Sequence, residues 1–431
     1  MTDEKAVLES LRHDLSQMWI IDTHEHLADE ENWLNDKSAC DFSHFFAHYA
    51  SVDIISAGCP QEDWVKIRDC TTPLDEKWDL FEPYWEKAKY TGYCKAVRTA
   101  IRDLFGLPDL SRDTYGELSV QMSRSRLPGW YQEVLKDRAK IEKAVLNTDN
   151  IHPDPRFFSP VVHIDQFILA GKLDDLARCE KESCMSIHSL DDLVNSMESM
   201  FRTGLEHGAV ATKTALAYVR TLHFDYPTKA EAEKSFTDLF AHNGERLDRP
   251  GLGERPTIRD AKPLQDYLMH KLIHMTFDAG LPMQIHTGLQ EGNGNYLEHS
   301  NPLNLNNLFV FYRRGRFDIF HAAYPFTSEL GVMAKMFPGV YADLCWMHVI
   351  SPAAARRTLD EWLETVPASK IFGFGGDYLF VEGTYAHAAM ARENIARVLA
   401  SKVASGYFTE AEARTVAQMI LHDNAKEFFG I

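Results

Sequence analysis

The chain has 431 residues, 45% of them hydrophobic, which is enough for a large core in one enlarged domain or in two domains. Its 63 acidic and 45 basic residues leave a formal charge of −18, which argues against the basic face of a nucleic-acid-binding protein. No run of about 18 apolar residues occurs, so we expect no membrane span. The seven cysteines show no Cys-x-x-Cys spacing, and the polar N-terminus resembles no secretory signal, so we expect reduced thiols and a cytoplasmic protein.

In chain order, the first predicted element is a helix over residues 4–18 with leucines at helical spacing. A short apolar run, 18–21, then ends abruptly in polar residues, as a buried strand does where it emerges from a core. The same pattern recurs at residues 144–146, 161–164, 209–211, 283–285, 319–320, 340–342 and 371–374. Helices are predicted between most of these strands, over residues 188–206, 258–279, 326–337 and 352–365. The alternation predicts a parallel sheet, and eight such units favour a closed (β/α)8 TIM barrel of the α/β class.

Two intervals are too long to be simple connections. Residues 28–140 contain five tryptophans and predicted helices over 76–105 and 128–140, which indicates a helical insertion that packs over the barrel mouth. Residues 217–257 form the second interval, with the loop-like segment 249–253 inside it. The tail, 385–431, is predicted to be helical with a break at Gly406. Because no linker divides the chain, we expect a single domain over 1–431.

The motif His24-Glu25-His26 follows the first predicted strand. Residues two apart in an extended segment point the same way, so both imidazoles can reach one point beyond the strand end. Imidazole binds zinc and other transition metals, and the position after a buried strand favours metal ligation. A solvated or hydrogen-bonded histidine pair is the alternative.

Other strand ends carry His286, His321, Asp377 and Lys213, each of which could serve a purely structural purpose on its own. In a barrel, however, all strand C-termini converge on one face, where active sites form. A cluster of four imidazoles and a carboxylate at that face predicts a metal centre. Lys213 could simply extend its ammonium group to solvent; as a carbamate, it could instead bridge two cations.

Three residues are candidates for substrate binding: two follow the fourth predicted strand, and one precedes the third. Tyr218 and Arg220 follow the fourth strand, and an arginine there could hold a substrate carboxylate in a bidentate pair. Arg156 is a second candidate for the same role. A surface ion pair is the alternative for each arginine.

Taken together, these motifs resemble the amidohydrolase superfamily, and the order of the strand ends matches over nearly the whole chain. The closest resemblance is to the branch of uronate isomerases and of the amidohydrolase-like domain fused to some glutamine synthetases. The segments Gln284-Ile285-His286-Thr287-Gly288-Leu289 and His321-Ala322-Ala323-Tyr324-Pro325 resemble that branch, as does the long insertion after the first strand.

The resemblance implies that His24, His26 and Asp377 hold a more buried metal, and that His286 and His321 hold a second, with carbamylated Lys213 between them. The cofactor would be one or two divalent metals per chain, most simply Zn. Relatives that isomerise or decarboxylate typically use one metal without a lysine bridge, so Lys213 favours a two-metal hydrolase.

The predicted activity is hydrolysis of an amide, ester or lactone carbonyl in a small, carboxylate-bearing molecule by metal-activated water. Asp377 would move the proton, with His321 as a further catalytic residue. The alternatives are a uronate-type isomerase or non-oxidative decarboxylase on the same barrel, and a metal-binding barrel without turnover. We also expect a homo-oligomer whose partners do not include nucleic acid or membrane.

Overall fold

The computed structural model describes residues 4–36, 41–148, 153–241 and 261–431. Its centre is a sheet of eight parallel strands that pair in sequence order. These are β1 (Ile20–Glu25), β2 (Ile141–Leu146), β3 (Phe158–Val162), β4 (Ala211–Thr214), β5 (Met283–Ile285), β6 (Phe317–Ile319), β7 (Val340–Asp343) and β8 (Ile371–Phe372).

Backbone hydrogen bonds bring the last strand back to the first. The amide of Thr23 donates to the Phe374 carbonyl at 3.2 Å, and the amide of Asp377 donates to the His24 carbonyl at 2.7 Å. The short apolar strands suit this arrangement because helices outside and side chains inside bury both faces of the sheet. The predicted (β/α)8 barrel is confirmed, and each of the eight predicted strands overlaps an observed one.

The helices largely follow the predicted pattern. The first, α1 (Glu4–Gln17), precedes the barrel. The insertion between β1 and β2 contains α2 (Glu30–Asn35), α3 (Ala50–Ser56), α4 (Gln61–Arg68), α5 (Leu74–Ala88), α6 (Gly92–Phe105) and α7 (Tyr115–Ser125), followed by a π-helical segment, Gln132–Arg138. The single helix predicted over 76–105 is therefore two helices, because the chain turns between α5 and α6, where Thr91 caps α6.

The remaining helices surround the barrel or follow it. Between β3 and β7 lie α8 (Asp165–Ile168), α9 (Leu173–Ser183), α10 (Leu190–Glu206), α11 (Lys229–Ala241), α12 (Lys262–Asp278), α13 (Asn306–Phe311) and α14 (Thr327–Met336). Later helices are α15 (Met347–Ile350), α16 (Pro352–Thr365), α17 (Val381–Ala404), α18 (Glu410–Gln418) and α19 (Asn424–Phe429). The predicted loop at 249–253 lies outside the described residues. None of the described helices is long and apolar enough to cross a membrane.

Aromatic side chains of the insertion pack against one another and belong to the same hydrophobic core as the barrel. Phe42 lies against Trp78 at 5.5 Å between ring centroids, and Phe46 lies against Trp85 at 5.6 Å. Phe81 contacts both Phe42 and Phe46, and all five side chains are buried. The insertion is also attached to the barrel, because Trp130 Nε1 donates to Glu382 Oε1 on α17 at 2.8 Å.

Candidate metal centre

The predicted ligands lie together at the C-terminal ends of the strands. His24 is inside β1, His286 directly follows β5, and His321 lies two residues after β6. Asp377 lies five residues after β8. All four are buried, whereas the His26 side chain keeps 32% of its exposure and faces a cavity.

One group of ligand atoms consists of His24, His26 and Asp377. The Nε2 atoms of His24 and His26 are 3.1 Å apart, and they lie 3.5 and 3.3 Å from Asp377 Oδ1. Two nitrogens that bind one tetrahedral zinc at about 2.05 Å are separated by about 3.3 Å. The spacing and the chemistry of these three donors therefore fit a divalent cation.

A second group shares the same carboxylate. Ligand atoms of His321, Cys345 and Asp377 lie within 4.8 Å of one another, and His321 Nε2 is 3.8 Å from Asp377 Oδ2. The two oxygens of Asp377 thus face two sets of donors. The sequence analysis missed Cys345, although it follows a predicted strand end by three residues and could have been considered on that ground.

Hydrogen bonds around His286 and His321 add an independent argument for a cation. His286 Nε2 donates to the Leu289 carbonyl at 2.9 Å, and His321 Nδ1 donates to the Cys345 carbonyl at 3.3 Å. The remaining nitrogens, His286 Nδ1 and His321 Nε2, lie 3.0 Å apart, so two lone pairs face each other. Burial lowers the pKa of His321 to about 4 and that of His286 well below its usual value, so a shared proton does not resolve this contact at neutral pH. A divalent cation held by the two nitrogens would resolve it.

The charges at the centre are set by burial and by these neighbours. Burial would raise the pKa of Asp377, but the hydrogen bond with His26 and the adjacent histidines outweigh it, so the pKa falls well below its usual value. Burial lowers the pKa of Lys213, against the opposing effect of Asp377 and Asp165. Asp377 is therefore ionised, and the Lys213 amine loses its proton more easily than a solvated lysine does.

Close backbone packing holds the Asp377 segment in place. A side chain at Gly376 would overlap Glu25 Oε1, and one at Gly375 would come within 2.5 Å of Thr23 Oγ1. The Gly376 amide donates to Asp22 Oδ1 at 2.9 Å. Asp377 itself has a φ of 58°, a left-handed conformation that aspartate and asparagine adopt more readily than most residues.

A cavity of about 250 Å³ opens from the centre. Five predicted site residues line it, namely His26, Lys213, Tyr218, His286 and Asp377. The sequence analysis missed the other chemically active lining residues, which are His48, Tyr49, Asn147, His163 and Glu291. His48 and Tyr49 come from the insertion, and no local motif distinguishes them.

The structure does not bring the two predicted arginines to this cavity. Arg220 is fully buried, and its guanidinium pairs with Asp266 and lies over the Phe224 ring. Arg156 is exposed and pairs with its near neighbour Asp154 at 2.6 Å. The expected bidentate clamp at the cavity is wrong for both residues, because each guanidinium already has a carboxylate partner elsewhere. Tyr218 does lie at the site, with its ring 4.7 Å from that of His286.

Comparison with protein families agrees with this geometry. Residues 184–431 match the family model described as amidohydrolase. The chain belongs to the amidohydrolase family. The matched region contains Lys213, His286, His321 and Asp377, so the strand ends from β4 onwards lie within it.

The individual relatives of this chain are more distant in sequence. It is 31% identical over 180 residues to Protein fluG of Emericella nidulans, a match that covers 40% of this chain and 21% of fluG. The chain thus spans about a fifth of that relative. Its fold resembles a uronate isomerase from Thermotoga maritima, with a TM-score of 0.79 and 16% identity over 100% of this chain and 99% of that one.

A glucuronate isomerase from Caulobacter crescentus has the same TM-score of 0.79, at 17% identity over 100% of this chain and 95% of that one. At such identities, the likeness shows a shared fold that includes the insertion. The activity must be argued from the site itself.

Proposed function

We propose that this amidohydrolase is a metal-dependent hydrolase that cleaves an amide, ester or lactone bond in a small molecule. The observation that carries the proposal is the position of Asp377, whose two oxygens face separate groups of donors next to Lys213. Two adjacent cation positions are the arrangement typical of hydrolytic centres that activate water and polarise a carbonyl at the same time. Zinc suits the donors, because nitrogen, sulfur and carboxylate oxygen are its common ligands.

His24 and His26 would hold one cation with Asp377, and His286 and His321 would hold the other. Bound cations would lower the pKa of water and polarise the carbonyl. Asp377 would accept the proton of the attacking water and return it to the leaving group as the carbonyl–heteroatom bond breaks. Its low pKa supports the first of these roles, because the carboxylate is ionised before the reaction starts. His321 would help to orient the substrate carbonyl.

Lys213 is proposed to be carbamylated. The neutral amine would attack carbon dioxide: an N–C bond forms, one C–O π bond breaks and one proton leaves the nitrogen, so that a neutral amine becomes an anionic carbamate. The lowered pKa of Lys213 favours the neutral amine that this step requires. A carbamate would supply two oxygens between the two groups of donors.

The cavity indicates a small, polar substrate. Tyr49, Tyr218, Asn147 and His163 offer hydrogen-bonding groups within about 250 Å³, and Lys213 is the single lysine or arginine among the described lining residues. A substrate carboxylate would therefore be bound by His163 and Asn147 rather than by an arginine. We also propose that the protein is a homo-oligomer and lies in the cytoplasm.

Metal counting and turnover on the same preparation test this proposal. We expect about two zinc ions per chain by elemental analysis and hydrolysis within a panel of lactones, N-acyl amino acids and carboxylate esters. One metal per chain with an unmodified Lys213 would contradict the two-metal hydrolase. Metal-loaded protein that turns over none of the substrates would instead favour a binding role.

A uronate isomerase is the second candidate, because the structural likeness to two such enzymes extends over the whole chain, including the insertion. Isomerisation moves protons within a sugar acid and needs one cation. Conversion of D-glucuronate to its ketose by protein with one metal per chain would establish uronate isomerase activity.

A further inference from the structure

A second, larger cavity lies on the side of the barrel, away from the metal centre. It has a volume of about 600 Å³ and is formed by α6 of the insertion, the start of α16 and the middle of α17. This volume falls within the usual range of small-molecule sites. Its charged lining residues are Lys95, Arg102, Arg356, Glu393 and Arg397.

The lining carries four cations and one carboxylate, in a chain whose formal charge is −18. Glu393 is already shared, because Arg12 donates to its Oε2 at 2.8 Å and Arg397 donates to its Oε1 at 2.5 Å. Arg356 has a neutral partner, Asn394 Oδ1 at 2.9 Å. Within the described part of the chain, no ion pair with a carboxylate is found for Lys95 or Arg356.

The adjoining surface is cationic too. A smaller cavity of about 330 Å³ shares Ala389 and Glu393 with the first and is lined by Arg12, Arg138 and Arg392. Arg392 is half-buried, and its guanidinium donates to two backbone carbonyls, those of Leu15 and Met18, both at 2.9 Å. Arg12, Arg102, Arg138 and Arg397 pair with carboxylates, whereas no carboxylate partner is found for Lys95, Arg356 and Arg392 among the described residues. Positive charge of this kind at a concave surface favours a multiply charged anion.

We propose that the 600 Å³ cavity binds a small phosphate monoester. A phosphate carries close to two negative charges and three acceptor oxygens, which matches a lysine and an arginine without acidic partners. The guanidinium of Arg356 presents a planar fork of donors suited to two phosphate oxygens. The remaining volume accommodates the organic part of the ligand.

A series of hydrogen bonds, all donated in the same direction, runs from this site to the segment that leads to Asp377. Arg356 donates to Asn394 Oδ1 at 2.9 Å, and Asn394 Nδ2 donates to His348 Nδ1 at 3.3 Å. His348 Nε2 then donates to the Gly373 carbonyl at 2.9 Å. Gly373 lies four residues before Asp377, so an anion that repositions Arg356 acts on the segment that carries the shared carboxylate.

Calorimetric titration of zinc-loaded protein with inorganic phosphate tests the binding. We expect saturable binding that the Lys95→Gln/Arg356→Gln variant weakens about tenfold or more, since a hydrogen bond to a charged group contributes roughly that much. Arg357→Gln is the matched control, because Arg357 is exposed on the same helix and does not line the cavity. Equal phosphate affinity in the wild type and both variants, or no saturable binding in the wild type, would overturn the site.

The connection has its own test, because coupling between two sites is reciprocal. Phosphate is expected to change the zinc affinity of the wild type, measured by competition with a chelating dye. Asn394→Ala should bind phosphate and yet lose this change, since Arg356 remains while the hydrogen-bond series is interrupted. A phosphate effect of the same size in Asn394→Ala would overturn the connection.

Discussion

At the residue scale, Asp377 combines an unusual backbone conformation with contacts to both groups of donors. Its φ of 58° and the glycines before it place the carboxylate between His26 and His321. Asparagine tolerates the left-handed conformation as well as aspartate does. The substitution Asp377→Asn therefore changes charge and basicity with little backbone strain.

Asp377→Asn is expected to lower turnover by about 10²–10⁴-fold, the usual contribution of general acid–base catalysis. Zinc content by elemental analysis should stay near that of the wild type at saturating zinc, because one oxygen ligand remains. Turnover close to the wild-type value in zinc-loaded Asp377→Asn would show that another group moves the proton.

Lys213 supports a separate prediction about metal number. Lys213→Ala is expected to reduce the zinc content from about two ions per chain to about one, because the bridging carbamate is lost. Short-chain carboxylic acids should restore part of the activity by occupying the vacated volume and supplying two oxygens. Exposed Lys181 on α9, which does not line the cavity, provides the control Lys181→Ala, for which we expect unchanged zinc content. An unchanged zinc content in Lys213→Ala would contradict the bridge.

At the scale of elements, the segment from β8 to Asp377 packs against β1 with no room for side chains at Gly375 and Gly376. Gly376→Ala would force its new methyl group against the Glu25 carboxylate, so we expect a loss of about 1–3 kcal/mol in the free energy of unfolding. Gly116→Ala, on α7 with open space around it, should cause no such loss. Urea denaturation followed by circular dichroism compares the two, and equal stabilities would disprove the close packing.

The sequence predicted the strands well because each one is a short apolar run that emerges at polar residues, a signal local to the chain. Observed β4 begins at Ala211, whereas 209–211 was predicted, so Lys213 lies within the strand rather than after it. The exact register depends on pairing with β3 and β5, which local pattern does not specify.

The residues that line the cavity were less predictable than the strands, because they are brought together from distant parts of the chain. His48 and Tyr49 reach the site through the packing of the insertion, more than 20 residues after the His24 motif and without a motif of their own. Arg220 does follow β4, as the sequence predicted. Its burial against Asp266, however, depends on α12, which begins over 40 residues later. Long-range packing, and not local spacing, decides which polar residues line the site.

At the scale of the whole molecule, the barrel is stabilised by parts that do not depend on a metal. Phe372 of β8 and Tyr341 of β7 pack against each other and against Phe428, which α19 contributes. The insertion adds its aromatic contacts and the buried ion pair of Lys77 and Asp41 at 2.7 Å. We therefore expect the metal-free protein to remain folded.

Metal removal is nevertheless expected to lower the melting temperature, because a ligand that binds the folded state alone stabilises it. With free zinc at 100 times its dissociation constant, the stabilisation is about 2.7 kcal/mol. The unfolding entropy near the midpoint is about 2.1 cal/mol/K per residue, so a chain of 431 residues should lose about 3 °C for each zinc site that a chelator empties. The His24→Ala/His26→Ala variant lacks two of the nitrogens that converge on Asp377, so it should retain the fold with markedly less zinc. Its melting temperature should respond less to the chelator than that of the control His188→Ala, in which an exposed histidine is removed. Calorimetry with and without chelator checks this, and an equal shift in both variants would place the bound zinc elsewhere.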